Sequence, residues 1–329
     1  MTKFNALIAR EKSDGQFEQV VVQRDITDLP AGDLLIRVKY SSVNFKDALS
    51  ASGSKAVTKH FPHTPGIDAA GVVEHSGVSD FKAGDEVIVT GYDLGMNTAG
   101  GLAQYIRIPA TWAVKRPQGL SLRESMVLGT AGLTAALCID KLQSVGTNPE
   151  SGPILVTGAT GGVGTVAVSL LTKLGYSVTA STGKAWQSDF LKALGASEVV
   201  LRSELQQGEE RPMLKAQWGG AVDTVGGAIL CNLVKSLRYG ASVAACGLTA
   251  GVDMNGTVLP FILRGVNLLG VDSVELPLAV KTAVWNKLAN EWKLDTLDNL
   301  VTEISLEQVP EALAKLLEGQ MVGRVVVAL

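Results

Sequence analysis

Residues 154–164 have the sequence ILVTGATGGVG, a short apolar run followed by glycines and other small residues. The apolar run predicts a buried strand over Ile154–Thr157, and apolar residues at helical spacing up to Leu174 predict a helix that Gly175 ends. Such a strand–turn–helix lets the backbone approach a pyrophosphate, whose charge then lies at the helix N-terminus. The predicted contacts with a dinucleotide are Thr160, Gly161, Gly162 and Val163. A turn that serves only helix–sheet packing is the alternative, because Ala159 replaces one glycine of the GxGxxG pattern.

The chain around this stretch alternates between strand and helix patterns. The predicted strands are Ile154–Thr157, Ser177–Ala180, Glu198–Leu201, Ala221–Val225, Ser242–Cys246 and Val266–Val271. Helical patterns separate most of them, which is typical of a doubly wound parallel sheet. Residues 126–274 are therefore predicted to form an α/β dinucleotide-binding domain of the Rossmann type.

The end of the second predicted strand indicates which dinucleotide is bound. An NAD site usually has an acidic residue there, about 20 residues past the glycines. Here no acid occurs before Asp189, and the residues at this place are Ser181, Thr182, Gly183 and Lys184. Hydroxyls and an ammonium suit a 2′-phosphate, and Arg202 after the third strand adds a second cation. The sequence therefore predicts NADPH as cofactor, with a solvated surface lysine as the alternative role of Lys184.

The first third of the chain has a different pattern. From Asp33 to Val43 apolar and polar side chains alternate with the period of a half-buried strand, and glycines separate the short strands that follow. This pattern predicts a compact, barrel-like β domain. Later elements are predicted near 280–292 (helix), Thr302 (strand), 306–317 (helix) and 324–328 (strand). They are expected to return to the first domain, which then comprises residues 1–125 and 275–329.

Composition excludes several classes of partner. The net charge is −3 and basic residues are not clustered, so neither nucleic acid nor an anionic membrane is an expected partner. The uncharged segment Ser151–Thr172 is long enough to span a bilayer, but its glycines and its change from strand to helix pattern favour a buried strand–turn–helix. Three scattered cysteines and an N-terminus without an apolar signal core predict a soluble, cytoplasmic protein.

No metal site is expected. A catalytic zinc usually has three protein ligands of the Cys, His or Glu type. The first predicted domain contains no cysteine, and His60 and His63 lie in the proline-rich loop HFPHTP, where they fit ordinary loop residues better than a ligand pair.

With these residues assembled, the chain resembles the medium-chain dehydrogenase/reductase superfamily along nearly its whole length. Zinc members have a Cys near Asn44, a His-Glu pair where Ile67 and Asp68 stand here, and a four-cysteine lobe that is absent here. The chain is therefore similar to the zinc-free quinone-oxidoreductase branch, and most of all to bacterial acryloyl-coenzyme A reductases. Motifs that carry the resemblance are Asn44–Leu49, Gly129–Ala135, Ser181–Lys184, Cys246–Leu248 and Gly323–Val326.

The resemblance implies a GroES-like β-barrel catalytic domain and roles for several residues. Asn44 would lie beside the nicotinamide and Asp47 would order the same loop, so both are candidate catalytic residues; the alternative for Asn44 is a helix N-cap. The other implied cofactor residues are Gly247, Leu248, Ser273 and Arg324. Their alternatives are a plain turn for Gly247 and Leu248, a structural residue for Ser273, and a surface ion pair for Arg324.

The expected reaction is reduction of an α,β-unsaturated acyl thioester by NADPH without a metal, with acryloyl-coenzyme A converted to propanoyl-coenzyme A. Alternatives are a quinone or enone reductase and a non-catalytic NADPH-binding protein. Candidate cations for the coenzyme A phosphates are Lys46, Lys55, Lys59, Arg264 and Arg324. Related reductases have a proton-donating Tyr between the Asn loop and the Pro-Gly motif; none occurs here, and Tyr40 and Tyr92 are the nearest candidates.

The sixth predicted strand also indicates a partner. Val266, Leu268, Leu269 and Val271 would form an apolar strand at the edge of the sheet. An uncovered apolar edge promotes aggregation, whereas pairing with its two-fold mate would cover it. A homodimer is therefore expected.

Overall fold

The computed structural model describes residues 2–329, and the chain divides into two compact units. The first consists of Met1–Thr130 and Ser273–Leu329, and the second of Ala131–Asp272. The first unit is therefore discontinuous in sequence.

The strands, in chain order, are β1 Lys3–Glu11, β2 Phe17–Asp25, β3 Leu34–Ser42, β4 Asp68–Ser76, β5 Glu86–Thr90, β6 Tyr105–Ile108, β7 Ala113–Lys115, β8 Ile154–Val156, β9 Val178–Thr182, β10 Glu198–Leu201, β11 Gly220–Asp223, β12 Ser242–Ala245, β13 Asn267–Gly270, β14 Val301–Ser305 and β15 Arg324–Ala328. The helices are α1 Phe45–Ala51, α2 Leu122–Ser144, α3 Gly162–Lys173, α4 Ser188–Ala193, α5 Arg202–Leu205, α6 Gly227–Ser236, α7 Leu259–Arg264, α8 Leu278–Ala289 and α9 Val309–Leu317. Short 3₁₀ turns lie at Ile26–Asp28, Ala110–Trp112, Pro149–Ser151, Ala185–Gln187, Leu297–Leu300 and Leu306–Gln308.

The second unit is built on a six-stranded sheet in which every pair of strands is parallel. The strand order is β10-β9-β8-β11-β12-β13. Strands β9 and β10 follow on one side of β8, and strands β11 to β13 follow on its other side. The switch point of this doubly wound sheet therefore lies between β8 and β11. Its buried apolar core includes Leu155, Ala221, Leu233, Val234 and Val243. The predicted α/β class is confirmed, and all six predicted strands are present.

The first unit contains a mainly antiparallel sheet of seven strands and a hairpin of β1 and β2. The order is β14-β15-β3-β4-β5-β7, and β6 pairs with β3. The C-terminal strand β15 pairs antiparallel with β3 over Tyr40–Ser42, so the end of the chain is an integral part of this sheet. The helix predicted over 306–317 begins as α helix only at Val309, after a 3₁₀ turn. Pro310 lies in the first helical turn, where its missing N–H costs nothing.

Helix α2 is long and apolar. It is the one helix in residues 2–329 whose length and hydropathy would suit a membrane span, and 83% of its most apolar window is buried within the protein. Gly129 breaks its regular geometry with φ 53° and ψ −156°. The uncharged segment Ser151–Thr172 forms β8, a turn and most of α3, as the sequence predicts.

Candidate functional site

The glycine-rich turn between β8 and α3 has no room for side chains at two of its glycines. Gly158 has φ +57°, and a Cβ there would collide with the Thr224 hydroxyl. A Cβ at Gly164 would collide with the backbone of Gly158 and Ala159. The turn therefore needs glycine at these positions for its own geometry and for the packing of α3 against it.

The N-terminus of α3 is open to an anion. Gly161 is the N-cap, and no side chain caps the helix. The first turn contains no acidic residue. The backbone N–H groups of an uncapped first turn have no acceptor within the helix, and the helix dipole favours negative charge beside them. These features suit a pyrophosphate held by the N–H groups that begin at Gly162 and Val163.

The predicted 2′-phosphate residues lie together at the carboxyl end of β9. The Thr182 hydroxyl accepts a hydrogen bond from the Lys184 N–H at 3.0 Å and lies 3.3 Å from the Thr160 hydroxyl. The guanidinium of Arg202 lies against Gly183, where a Cβ would approach its Cζ to 3.2 Å. Burial lowers the pKa of the half-buried Lys184 from its ordinary value. Two cations and two hydroxyls thus converge on one short turn.

Ser181 lies at the end of β9, as the sequence predicts. Its side chain is buried, and its carbonyl accepts the Ala159 N–H at 3.0 Å, which ties the glycine-rich turn to β9. Ser181 therefore supports the turn through its backbone. Thr182 is as deeply buried as Ser181, Lys184 is half-buried, and the contacts of all three with a 2′-phosphate stay predictions.

The end of β12 brings Gly247 close to the switch point. A Cβ on Gly247 would collide with the backbone of Thr224, so the close approach of the two strand ends requires glycine. The next residue, Leu248, is exposed. Ser273 is buried and belongs to the first unit. The predicted cofactor contacts of these three residues stay predictions.

A buried carboxylate that sequence reasoning missed also orders the second unit. Asp223, the last residue of β11, accepts the Thr157 hydroxyl at 2.7 Å and the Gly226 N–H at 2.8 Å. Burial raises the pKa of Asp223. The two bonds fix the ends of β8 and β11, from which the glycine-rich turn starts.

In the first unit, Asn44 opens α1 but does not cap it with its side chain. Instead Asp47 accepts the Asn44 backbone N–H at 2.8 Å and, through its other oxygen, the Ile67 N–H at 2.8 Å. Asp47 is fully buried. It therefore clamps the Asn44 loop to the segment before β4, and its geometry gives it a positioning role and no contact with reactants.

The side chain of Asn44 belongs to a buried network centred on Asp68. The Asp68 carboxylate accepts hydrogen bonds from Asn44 Nδ2 at 2.8 Å and Ser42 Oγ at 2.5 Å. It also accepts the Thr130 hydroxyl at 2.6 Å and the Thr130 N–H at 2.9 Å. The break at Gly129 starts a new helical segment at Thr130, and Asp68 satisfies the N–H at its beginning. Neither Asp68 nor Thr130 was singled out by sequence analysis as a site residue.

Arg324 completes this network and requires a correction. It was expected to contact a cofactor phosphate or the substrate, but its side chain is only 3% exposed. Its Nε donates to Val127 O at 2.9 Å, and its Nη2 donates to Ser42 Oγ at 2.9 Å and lies 4.0 Å from Asp68. Its Nη1 contacts Asn44 Oδ1 at 3.3 Å. Arg324 is the first residue of β15, and each of its three side-chain nitrogens contacts an acceptor within the protein. The surface ion pair considered for it is excluded as well.

Two further expectations change for the same reason. Arg264 donates to the backbone carbonyls of Leu214, Lys235 and Leu237 and is therefore a structural residue and not a free cation for a substrate phosphate. Tyr92 donates its hydroxyl to Leu276 O at 3.0 Å, and its ring lies 3.4 Å from the Lys281 ammonium, so its hydroxyl hydrogen is committed to a backbone carbonyl.

The remaining candidate cations, Lys46, Lys55 and Lys59, all lie in the first unit. Lys59 is exposed, and its backbone N–H is held by Asn97 Oδ1 at 3.2 Å. Lys55 is exposed, donates to Lys59 O at 3.3 Å and lies over the Phe61 ring. Lys46 on α1 is half-buried.

The donor set around Asn44 does not fit zinc. It offers an amide, the apolar Ile67 and two carboxylates whose oxygens are already occupied: those of Asp68 accept four hydrogen bonds and those of Asp47 accept two backbone N–H groups. No group of three or more His, Cys, Asp or Glu side chains suited to a metal occurs within residues 2–329.

Two family models match the chain. An alcohol dehydrogenase GroES-like domain matches residues 30–118, and a model described as zinc-binding dehydrogenase matches residues 162–290. Solved structures are similar to the chain over nearly its whole length. The oxidoreductase yhdH from Salmonella enterica, crystallised with NADP, has a TM-score of 0.96 at 43% identity, with 99% of each chain covered. Bacillus subtilis yhfP, crystallised with NAD, has a TM-score of 0.97 at 48% identity, with 100% of each chain covered.

Curated relatives cover the whole chain. The Bacillus subtilis protein YhfP, named as a quinone oxidoreductase, is 48% identical over 100% of this chain and 99% of its own. Acrylyl-CoA reductase AcuI of Ruegeria pomeroyi is 43% identical over 98% of both chains. The similarity extends through both units.

The Asp47 carboxyl gives a test of the buried network. Burial, and next the neighbouring Asp68, raise the pKa of Asp47 to about 7 in the folded protein, from an ordinary value of 3.8. Between pH 3.8 and about pH 7 the folded state therefore binds one more proton than the unfolded state. Asp47 contributes stability at low pH, and this contribution is lost as the pH rises toward 7. We expect the free energy of unfolding of wild type, minus that of Asp47→Asn, to fall between pH 4.5 and 7 and then level off in urea titrations. A difference that is constant with pH would contradict the raised pKa.

Proposed function

The chain belongs to the medium-chain dehydrogenase/reductase superfamily, and on that basis we propose that it is an NADPH-dependent reductase that converts acryloyl-coenzyme A to propanoyl-coenzyme A. The observation that carries the proposal is full-length similarity to an acrylyl-CoA reductase, at 43% identity over 98% of the chain. Reduction of quinones or other enones is the second candidate, because a relative at 48% identity is named as a quinone oxidoreductase. We further propose that the protein acts in the cytoplasm, where its three free cysteines stay reduced.

The second unit fits the cofactor. The open N-terminus of α3 would hold the pyrophosphate, and Thr182, Lys184 and Arg202 would hold the 2′-phosphate. When bound, NADPH would supply the hydride that reduces the β-carbon of the substrate. Predicted nicotinamide-side contacts that the proposal retains are Asn44, Gly247, Leu248 and Ser273.

Asn44 is the proposed donor to the substrate carbonyl oxygen, on which negative charge develops. One Nδ2 hydrogen is committed to Asp68, whereas the contacts of Nδ2 with Ser42 are long, at 3.4 Å and 3.5 Å. A substrate oxygen can replace such a long contact at little cost. Because Arg324 contacts Asn44 Oδ1, its positive charge draws electrons from the amide and makes Nδ2 a better donor. Loss of one such donor typically lowers kcat by about 10²–10³.

A homodimer forms part of the proposal. Strand β13 is at the edge of the six-stranded sheet, and its Leu268 is exposed. On the preceding helix α7, Ile262 and Leu263 are exposed as well. An exposed apolar edge next to an exposed apolar helix is the kind of surface that a second copy covers by extending the sheet.

The substrate prediction rests on charge. Acryloyl-coenzyme A has phosphates that exposed cations can bind, whereas a small quinone has none. We expect kcat/KM for acryloyl-coenzyme A to fall as salt concentration rises, because exposed ionic contacts are screened, and kcat/KM for a quinone to stay nearly constant at saturating NADPH. Lys59→Ala should raise KM for the thioester about tenfold or more without affecting the quinone.

Controls make this assay decisive. Lys315→Ala removes an exposed lysine that pairs with Glu311 on α9, and both substrates should be unaffected. Activity should survive a chelator, since no metal is part of the proposed reaction; loss of activity together with near-stoichiometric zinc would overturn that part. Turnover of acryloyl-coenzyme A no faster than that of a simple quinone would favour quinone reduction as the function.

The cofactor prediction follows from the turn after β9. We expect NADPH to bind at least tenfold more tightly than NADH, about 1.4 kcal/mol, in titration calorimetry. Lys184→Ala should weaken NADPH and leave NADH nearly unchanged, because only the former has a 2′-phosphate. Equal affinities of wild type for the two dinucleotides would refute the preference.

The dimer prediction uses a pair of matched variants. Light scattering should give the mass of two chains at micromolar concentration for wild type. Leu268→Lys should give a monomer, because charges at the edge of a sheet prevent edge-to-edge pairing. Val145→Lys, at another exposed apolar position of the second unit, should remain dimeric. A monomeric wild type would disprove the proposed assembly.

A further inference from the structure

Trp186 is an exposed tryptophan beside the proposed 2′-phosphate site. Its side chain is 75% exposed, whereas the other four tryptophans are buried or half-buried. An indole is among the largest apolar surfaces a protein has, and leaving it in water gives up the stabilisation that burial would provide. Its exposure leaves the indole accessible to a ligand that binds beside it.

The backbone holds Trp186 close to the phosphate-binding cations. It is the central residue of the 3₁₀ turn Ala185–Gln187, and the Gln187 N–H donates to Lys184 O at 2.9 Å, which closes that turn. Two peptide units separate it from Lys184, so their Cα atoms are at most about 7.6 Å apart. Both residues follow the carboxyl end of β9, the edge at which doubly wound sheets bind ligands.

The adenine of the dinucleotide is the group that would cover the Trp186 indole. The 2′-phosphate and the adenine are attached to the same ribose, so a phosphate held by Lys184 and Arg202 leaves the adenine within one sugar ring of them. A purine needs a flat apolar surface, and indole rings stack on bases with a gain of about tenfold or more in affinity. We propose that Trp186 is the residue on which the adenine stacks, an inference that rests on the proposed NADPH-dependent function.

Binding measurements separate a stacking residue from a phosphate-binding one. Adenine is common to NADPH, NADH and 2′-phospho-ADP-ribose, so Trp186→Ala should weaken all three by about tenfold in titration calorimetry. Trp186→Phe, which keeps an aromatic ring, should restore most of the affinity. Lys184→Ala, in contrast, should weaken only the two ligands that have a 2′-phosphate.

Tyr239 provides the matched control. It is an equally prominent aromatic residue, 84% exposed, but it precedes β12 and so lies at the amino end of the parallel strands, away from the ligand-binding edge. Tyr239→Ala should bind all three ligands as wild type does. Unchanged thermal unfolding of Trp186→Ala would show that its loss of affinity is not a loss of folding.

Fluorescence adds a readout specific to this side chain. Addition of 2′-phospho-ADP-ribose, which has no nicotinamide, should quench part of the tryptophan emission of wild type and protect it from acrylamide. Both effects should be absent in Trp186→Phe. Affinities of Trp186→Ala within twofold of wild type for all three ligands would overturn the inference while the proposed function stands; failure of wild type to bind any dinucleotide would overturn both.

Discussion

The first unit depends on the way it neutralises the buried carboxylate of Asp68. The Asp68 side chain receives hydrogen bonds from β3, from the Asn44 loop and from the helical segment that begins at Thr130, and Arg324 brings positive charge from the last strand. A buried carboxylate without partners is too costly to persist, so each of these elements must be in place before the others are satisfied. This single group therefore links segments that are far apart in sequence, including the C-terminal strand that makes the unit discontinuous.

The charge balance of this network explains the behaviour of Asp47. Arg324 supplies one positive charge, which offsets one carboxylate, and Asp68 and Asp47 are both buried beside it. The network is neutral only when one of the two carboxyls is protonated. Asp47 accepts two backbone N–H groups, which favour its ionised form, but burial and the neighbouring Asp68 outweigh them and raise the pKa of Asp47 to about 7. Near neutral pH the group that clamps the Asn44 loop is therefore divided between its two protonation states.

Local patterns predicted most of the fold and half of the site, and the reason lies in how the contacts are made. The six parallel strands, the glycine-rich turn and the Thr182–Lys184 turn are each set by residues adjacent in sequence, so periodicity and glycine placement were sufficient. Asp68 and Thr130 meet across 62 residues, and Arg324 and Val127 meet across 197. No local pattern encodes such a meeting, which is why Arg324 was assigned to a phosphate and Thr130 to no role. The break of α2 at Gly129 likewise lies within a run of apolar and small residues that has no local signal for it.

The cost of the Asp68–Arg324 pair is an argument for its role. Replacing a buried ion pair with apolar residues of similar volume is often neutral or stabilising, so stability alone does not account for it. An apolar pair would pack the same space, but it would leave the Thr130 N–H without an acceptor and would let the Asn44 amide rotate. The Asp68 carboxylate holds one Nδ2 hydrogen of the Asn44 amide inward. The Arg324 guanidinium at the amide oxygen polarises the amide, so that its other Nδ2 hydrogen is a better donor. A protein that holds a developing negative charge without a metal needs a preorganised, polarised donor, because a donor that must reorient during the reaction loses most of its electrostatic advantage. On this argument the buried charges are retained for the direction they impose on one amide group and not for the stability of the fold.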